Sequence, residues 1–247
     1  MYDPIQKAEE IKKLVVRGTS RKYYRIARGG KWYGGIATCD CVGCNLDCVF
    51  CWSNYPRKNP NRSGKFYTPD EIHKALLSCA RKQGYQRLRI SGNEITISPE
   101  HLFELLRKVA NTPYTFILET NGTLIDDEIA RELSRFQNIY VRVSFKGTNP
   151  WEFSKLTGAI PEGFYLQLRA LESLVKYKVP CWASVVVSFS TPENIVNFTN
   201  TIKDINQNLP KTLEQEVIFI LPHIEKRLKE RGIKPKIFDN TIFKNRR

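Results

Sequence analysis

From Thr68 onward, apolar residues alternate between short runs with the spacing of strands and longer stretches with the spacing of helices. Capping and turn residues mark each change. Thr68-Pro69-Asp70-Glu71 reads as a capping box with proline at the first helical position, opening a helix to about residue 82 that Gly84 stops. A strand over 87–91 follows, then a helix from Ser98-Pro99 to about 110. The alternation continues with a strand over 114–119, a helix over 126–136, a Val-rich strand over 139–145 and a helix over 161–177. A β-branched strand covers 181–189, Thr191-Pro192 opens a helix to about 208, and a strand over 216–221 leads into a helix over 222–231.

A first strand near 35–39 completes six β–α units. Strands that alternate with crossover helices pair in parallel, and right-handed crossovers curl such a sheet. The expected fold class is therefore α/β: a partial (β/α)6 barrel, with an open parallel sheet curled inside and helices outside. In barrels of this kind the chemistry gathers at the C-terminal ends of the strands. Residues 1–28 read as an extension of one helix (4–16) and one short strand (22–27), with residues 29–247 forming the barrel domain. The stretch 52–67, rich in Asn, Pro, Arg, Ser and Gly, reads as a long irregular loop, and loops of that length inside a domain are often functional.

Composition narrows the class. Hydrophobic residues make up 41% of the 247 and charged ones 26%, as in an ordinary soluble domain. No apolar run reaches the roughly 18 residues of a membrane helix, and the N-terminus lacks a signal peptide's apolar stretch. A cytoplasmic, reducing location without membrane attachment is expected. The formal net charge is +14, which attracts anions such as nucleic acid, a phosphorylated substrate or an acidic protein. The basic residues are dispersed, with denser stretches at 17–28, 57–65 and 226–236, so a generally basic surface explains the charge equally well.

The cysteines carry the chemistry. Cys44, Cys48 and Cys51 stand in a C-x3-C-x2-C run directly after the first strand, with Phe50 before the last thiol. Three thiolates on one short loop suit a [4Fe–4S] cluster and leave one iron without a protein ligand. Seven cysteines, an odd number in a chain of this length, argue against a disulfide framework. Zinc is the nearer alternative, because Cys41/Cys44 and Cys48/Cys51 form two C-x2-C pairs. Only three residues separate them, however, against roughly 15–20 in a zinc ribbon. A third reading is an electron carrier whose cluster takes Cys41 as a fourth ligand. Otherwise Cys39 and Cys41 read as packing or redox residues, and Cys79 and Cys181 as small buried hydrophobes. His73, His101 and His223 read as surface or capping residues.

Polar tips end the next three strands: Ser91-Gly92-Asn93-Glu94, Thr120-Asn121-Gly122 and Ser144-Phe145-Lys146-Gly147. Each alone is an ordinary turn; together on one face they could touch a single ligand. With the cysteine motif, over about 36–187, they resemble the radical S-adenosylmethionine family in its own order. The resemblance implies a [4Fe–4S] cluster on Cys44, Cys48 and Cys51, with the amino and carboxylate groups of S-adenosyl-L-methionine on the fourth iron. It implies Phe50 near the adenine, and Gly92, Asn93 and Glu94 as the counterpart of the segment that binds the methionine amino group. Asn121 joins the cofactor site, and Ser144 and Lys146 lie near the ribose or methionine carboxylate. An electron from a ferredoxin- or flavodoxin-type donor then generates a 5′-deoxyadenosyl radical that abstracts hydrogen from substrate. The chain departs from the family pattern at Asn93, where glycine is usual, and at Ile95, where proline is usual; Asn tolerates left-handed backbone better than most residues.

The compact length resembles the glycyl-radical-activating enzymes, which modify a glycine on a partner protein. Trp52 after Cys51 and the basic surface resemble the tRNA wyosine-base synthases, although the second set of upstream cysteines is missing. A macromolecular or anionic substrate is expected, with a zinc-stabilised nucleic-acid-binding module as the alternative. Oligomeric state and the role of residues 1–28 are not legible.

Overall fold

The computed structural model describes residues 1–237 of the chain; the part of the expected barrel domain at 238–247 lies outside the described residues. Asp3 accepts the Ile5 N–H and opens α1 (Pro4–Val15), with proline at the first helical position. β1 (Val16–Arg17) and β2 (Ser20–Gly30) then lead to β3 (Ile36–Cys41). The long loop after the cysteines is partly structured, holding a short α2 (Asn54–Lys58) and β4 (Lys65–Tyr67). The capping box at Thr68 and Glu71 forms as expected and starts α3 (Pro69–Gln83), which ends at Gly84 in the left-handed region.

Next come β5 (Arg87–Ser91), α4 (Pro99–Ala110), β6 (Thr115–Thr120), α5 (Asp127–Leu133) and β7 (Ile139–Phe145). The crossover from β7 holds two helices, α6 (Pro150–Thr157) and α7 (Gly163–Lys176), where the sequence suggests one. β8 (Cys181–Val186), α8 (Pro192–Ile205), β9 (Glu214–Glu216) and α9 (Pro222–Glu230) complete the chain.

Six strands pair in parallel in the order β3-β5-β6-β7-β8-β9, as the alternating pattern implies. On the β3 side the sheet continues antiparallel through β2, which carries β1 and β4. β2 crosses residues 28–29 without a break, pairing Arg28 with Thr38 and Gly29 with Ala37. The last strand is shorter and earlier than the apolar run at 217–221 suggests. Its ladder stops at Glu216, and Ser188 Oγ accepts the next available N–H, that of Ile218, at 2.9 Å. Ile218, Ile220 and Leu221 then turn onto Val49, Leu156, Ile224 and Leu228, so the apolar run fills a second small core instead of lengthening the sheet.

Each parallel strand alternates. One face carries Ala37, Cys39, Leu88, Ile90, Phe116, Leu118, Val141, Val143 and Val185, packed with apolar residues of α3, α4, α7 and α8 in the main core. The opposite face carries Thr38, Asp40, Arg89, Glu119, Arg142, Ser184, Glu214 and Glu216. Tyr33, between β2 and β3, shows that this polar face is concave. Its hydroxyl donates to Glu119 on β6 (2.8 Å), and its ring stands 6.2 Å from Trp182 on β8. In a flat sheet β3 and β8 are roughly 19 Å apart. The sheet curls around Tyr33.

Candidate active site at the C-terminal ends of the strands

The cysteine loop leaves β3 through Gly43, whose φ of +89° and close approach to Ile11 Cγ2 (2.7 Å from an added Cβ) exclude a larger residue. Every stretch of the loop is then tied to a distant part of the chain. The Asp47 N–H donates to the Tyr2 hydroxyl (2.7 Å), which itself donates to the Thr157 carbonyl (3.1 Å). The Val49 N–H donates to the Leu156 carbonyl at the end of α6 (2.8 Å). Asn45 Nδ2 donates to Pro4 O and Thr123 Oγ1, and Asn45 Oδ1 accepts from Asn121 Nδ2 (2.8 Å). From α9, Arg227 donates to the carbonyls of Cys48 (3.3 Å) and Cys51 (2.8 Å). Residues 1–28, silent in the sequence, thus form one wall of the site.

Arg21 is the centre of that wall. It is fully buried and donates to three carbonyls: Val15 at the end of α1, Gly43 and Glu94. α1, the cysteine loop and the β5 tip meet on one guanidinium.

The three thiols sense one another. Burial, then Glu94, Cys48 and Cys51, hold the Cys44 thiol well above its ordinary pKa. Burial pushes Cys48 up to about 11, with Cys51 and Asp47 adding to the shift and Lys146 and Arg57 opposing it. A bound cation favours the thiolate form of such buried thiols. Among the described residues no three Cys, His, Asp or Glu side chains gather tightly enough for a single metal ion. Three free thiols on one loop, close enough to raise one another's pKa, are a donor set that fits a four-iron cube, in which each thiolate bonds a different iron. Cys39 and Cys41 lie fully buried in the main core, and burial raises their thiols to about 12 and about 11. Cys79 and Cys181 are half-buried at its edge.

The strand tips converge on this loop. Gly92 has φ +92°, and an added Cβ would meet the Cys41 carbonyl at 2.9 Å, so β5 and β3 touch there through backbone alone. Asn93 is not in the left-handed region. Its place is explained by its side chain: Oδ1 accepts the Gly43 N–H (2.8 Å) and Nδ2 donates to the Ser53 carbonyl (3.3 Å), bracketing the cysteine loop at both ends. The buried Glu94 carboxylate accepts from the hydroxyls of Thr96 and Thr120 (2.8 Å each) and from the N–H groups of Thr96 and Asn121. Ile95, at the family's usual proline position, begins a short 3-10 turn.

Asn121 Nδ2 also reaches Cys44 Sγ (3.8 Å). Lys146 Nζ donates to Ser144 Oγ (2.6 Å) and lies close enough to Cys48 to lower its pKa. Phe50, half-buried, stacks on Phe189 with centroids 6.0 Å apart. The site residues expected from sequence therefore gather at one end of the sheet. Sequence reasoning missed Tyr2, Arg21, Asn45, Arg57, Gln167 and Arg227. It also placed His101 at the surface, whereas His101 is fully buried, donating through Nδ1 to the Thr19 carbonyl and accepting the Tyr23 hydroxyl at Nε2 (2.8 Å each).

Below this end lies the polar concave face. Arg89 spans Thr38 and Glu119, Arg142 reaches over β8 to Glu214 (2.7 Å) and Glu216 (2.6 Å), and Asp40 is held by Arg25 and Arg28. Period-two charges within the strands were the available signal. At the rim, Trp52 is 47% exposed and the Arg25 guanidinium lies 5.2 Å from its ring centroid.

A curled parallel half-barrel whose first strand delivers three spaced thiols to the mouth of a polar cavity defines an iron–sulfur enzyme of the partial-barrel class. The chain belongs to the radical SAM superfamily, whose family description matches residues 40–204. It is 27% identical over 181 residues to the AdoMet-dependent heme synthase of Methanosarcina barkeri, covering 73% of this chain and 49% of that protein. It is 32% identical over 166 residues to a cysteine-type anaerobic sulfatase-maturating enzyme of Clostridium perfringens, covering 62% and 44%.

Among solved structures, native anSMEcpe with bound AdoMet superposes with a TM-score of 0.54 at 26% identity over 70% of this chain and 49% of that one. Streptococcus suis SuiB superposes with a TM-score of 0.60 at 17% identity over 82% and 42%, a likeness of fold alone. The chain spans about half the length of the curated relatives it matches. Its cofactors are a [4Fe–4S] cluster and S-adenosylmethionine. Among the described residues no helix is long and apolar enough to cross a membrane.

Proposed function

We propose that Cys44, Cys48 and Cys51 bind the cluster, and that the tips of β5, β6 and β7 hold S-adenosylmethionine beside it for hydrogen abstraction from a polar segment of a protein or peptide. The observation that carries this reading is the clamped three-thiol loop at the mouth of a polar concave face. When bound, the cluster would supply one-electron reduction of S-adenosylmethionine, with the electron coming from an external ferredoxin- or flavodoxin-type donor.

The residues divide the remaining work. Gly92 leaves its backbone open to the methionine amino group. Glu94 orients the tips of β5 and β6 through three donors on Oε1, while Oε2 takes only the Asn121 N–H and keeps a lone pair for the amino group. Asn121 braces Cys44, Lys146 and Ser144 face the methionine carboxylate or ribose, and Phe50 with Phe189 gives an apolar stack for the adenine. The polar lining suits a hydrophilic substrate, and the exposed Trp52 rim suits a large one. A peptide substrate agrees with anSMEcpe, solved with the Cp18Cys peptide, and with SuiB, solved with precursor peptide SuiA. The Arg25–Trp52 stack favours a nucleic-acid target as the second reading. A reducing cytoplasmic setting suits the thiolates.

Protein reconstituted anaerobically with iron and sulfide, then given dithionite and S-adenosylmethionine, is expected to release 5′-deoxyadenosine. Cys48→Ala is expected to abolish it. No release from fully loaded, reduced wild type would contradict the assignment.

A further inference from the structure

Three guanidiniums meet at the cysteine loop, where the sequence suggests only a basic, solvated surface. Arg227 is nearly buried, with Nη1 on Asn54 Oδ1 (2.6 Å) as well as the Cys48 carbonyl, and Nη2 on the Cys51 carbonyl. Arg57, equally buried, donates to the same Asn54 oxygen (2.6 Å) and pairs with Asp47. Arg231 takes the other Asp47 oxygen at 2.6 Å. The neighbouring α9 cations Lys226 and Lys229 are exposed and pair along the helix with Glu230 and Glu225 instead.

The charges do not balance. Among the described residues Arg57 and Arg231 share one carboxylate, Asp47, and the hydrogen-bond acceptors of Arg227 are all neutral. Among the described residues the Nε atoms of Arg57 and Arg227 are buried without a hydrogen-bond partner. Buried cations left unpaired are costly unless an anion joins them. The nearest candidates are the thiols themselves, since Arg57 interacts electrostatically with Cys44, Cys48 and Cys51, and Arg227 with Cys48 and Cys51. Three thiolates outweigh the 2+ core of an oxidised four-iron cluster and leave the site net negative, which supplies the missing charge.

We infer that Arg57 and Arg227 are positioning residues for the iron–sulfur cluster: their charges offset those of the thiolates, and the Arg227 fork fastens the loop to α9. The last helix thereby sets how firmly the cluster is held and how readily it accepts an electron. The inference rests on the assignment of Cys44, Cys48 and Cys51 as its ligands. A nearby cation favours the more negative, reduced cluster, so its removal lowers the reduction potential.

The test compares reconstituted wild type with Arg227→Gln, Arg227→Lys and Arg57→Gln. Iron and sulfide content, iron loss to a chelator, and the cluster midpoint by EPR-monitored titration without S-adenosylmethionine are the readouts. Arg227→Gln is expected to move the midpoint to more negative potential and to lose iron about 10–100-fold faster. Arg227→Lys keeps the charge but cannot span two carbonyls, so it holds a midpoint closer to wild type while losing iron as quickly as the Gln variant. Arg57→Gln moves the midpoint the same way and decides the matter if the Arg227 variants do not fold. Wild-type midpoints and chelation rates in the folded variants would overturn the inference. A wild type that takes up no cluster at all would instead overturn the cysteine assignment beneath it.

Discussion

At the scale of single residues, polar side chains do more of the positioning than the motif itself. Asn93 departs from the family's glycine without left-handed backbone because its amide brackets Gly43 and Ser53. Arg21 and His101 act in the same way inside the wall formed by the N-terminal segment. Burial, helped by the nearby Arg21 charge and opposed by the hydrogen bond to Thr19, holds His101 neutral, with a pKa of about 4 against an ordinary 6.5. Because the folded value is the lower one, the unfolded chain binds the extra proton first as pH falls. Stability of the cluster-free protein should therefore drop between pH 6.5 and 4, by about 3 kcal/mol from this group. Urea titrations across that range should show the slope flatten in His101→Gln. An unchanged slope would remove His101 as its source.

At the scale of elements, the crossovers do more than close the sheet. Gln167 on α7, fully buried, donates to the carbonyls of Asn121 and Ser144 and so ties the tips of β6 and β7. Gln167→Leu leaves both acceptors buried and unpaired, a loss of about 2–4 kcal/mol; a thermal melt matching wild type would contradict this role. The elements themselves were largely legible: capping at Thr68 and Thr191, the stop at Gly84 and the β-branched run at 181 all predict what forms. Their partners were not. The antiparallel edge of β2 depends on a pairing with β3 that no local pattern reveals, and the 217–221 run looks like a strand until the Ser188 hydroxyl takes the Ile218 N–H. Gln167 and Arg227 are equally hidden, since Arg227 acts on Cys48 from 179 residues away.

At the scale of the whole molecule, the half-barrel separates two environments. An apolar convex face packs the helices, while a concave face carries ion pairs that no closed barrel core would hold. The net charge of +14 is partly internal: Arg21, Arg89, Arg142 and Arg227 turn inward, so composition alone overstates the basic surface. Arg142, bridging Glu214 and Glu216 across β8, sets the curl at its far edge. Arg142→Met leaves two half-exposed carboxylates without their partner and is expected to cost about 1–2 kcal/mol after solvent screening, with part of the loss recovered by adding Glu214→Gln and Glu216→Gln. Equal stability of the single and triple variants would show that the network does not hold the edge.

The central claim, that Cys44, Cys48 and Cys51 carry a cluster with one iron left for S-adenosylmethionine, is tested most directly by EPR of the reduced, reconstituted protein with and without that cofactor. The account predicts a cluster signal that changes when S-adenosylmethionine is added and is lost in Cys48→Ala. A signal indifferent to the cofactor, or one that survives Cys48→Ala unchanged, would contradict it.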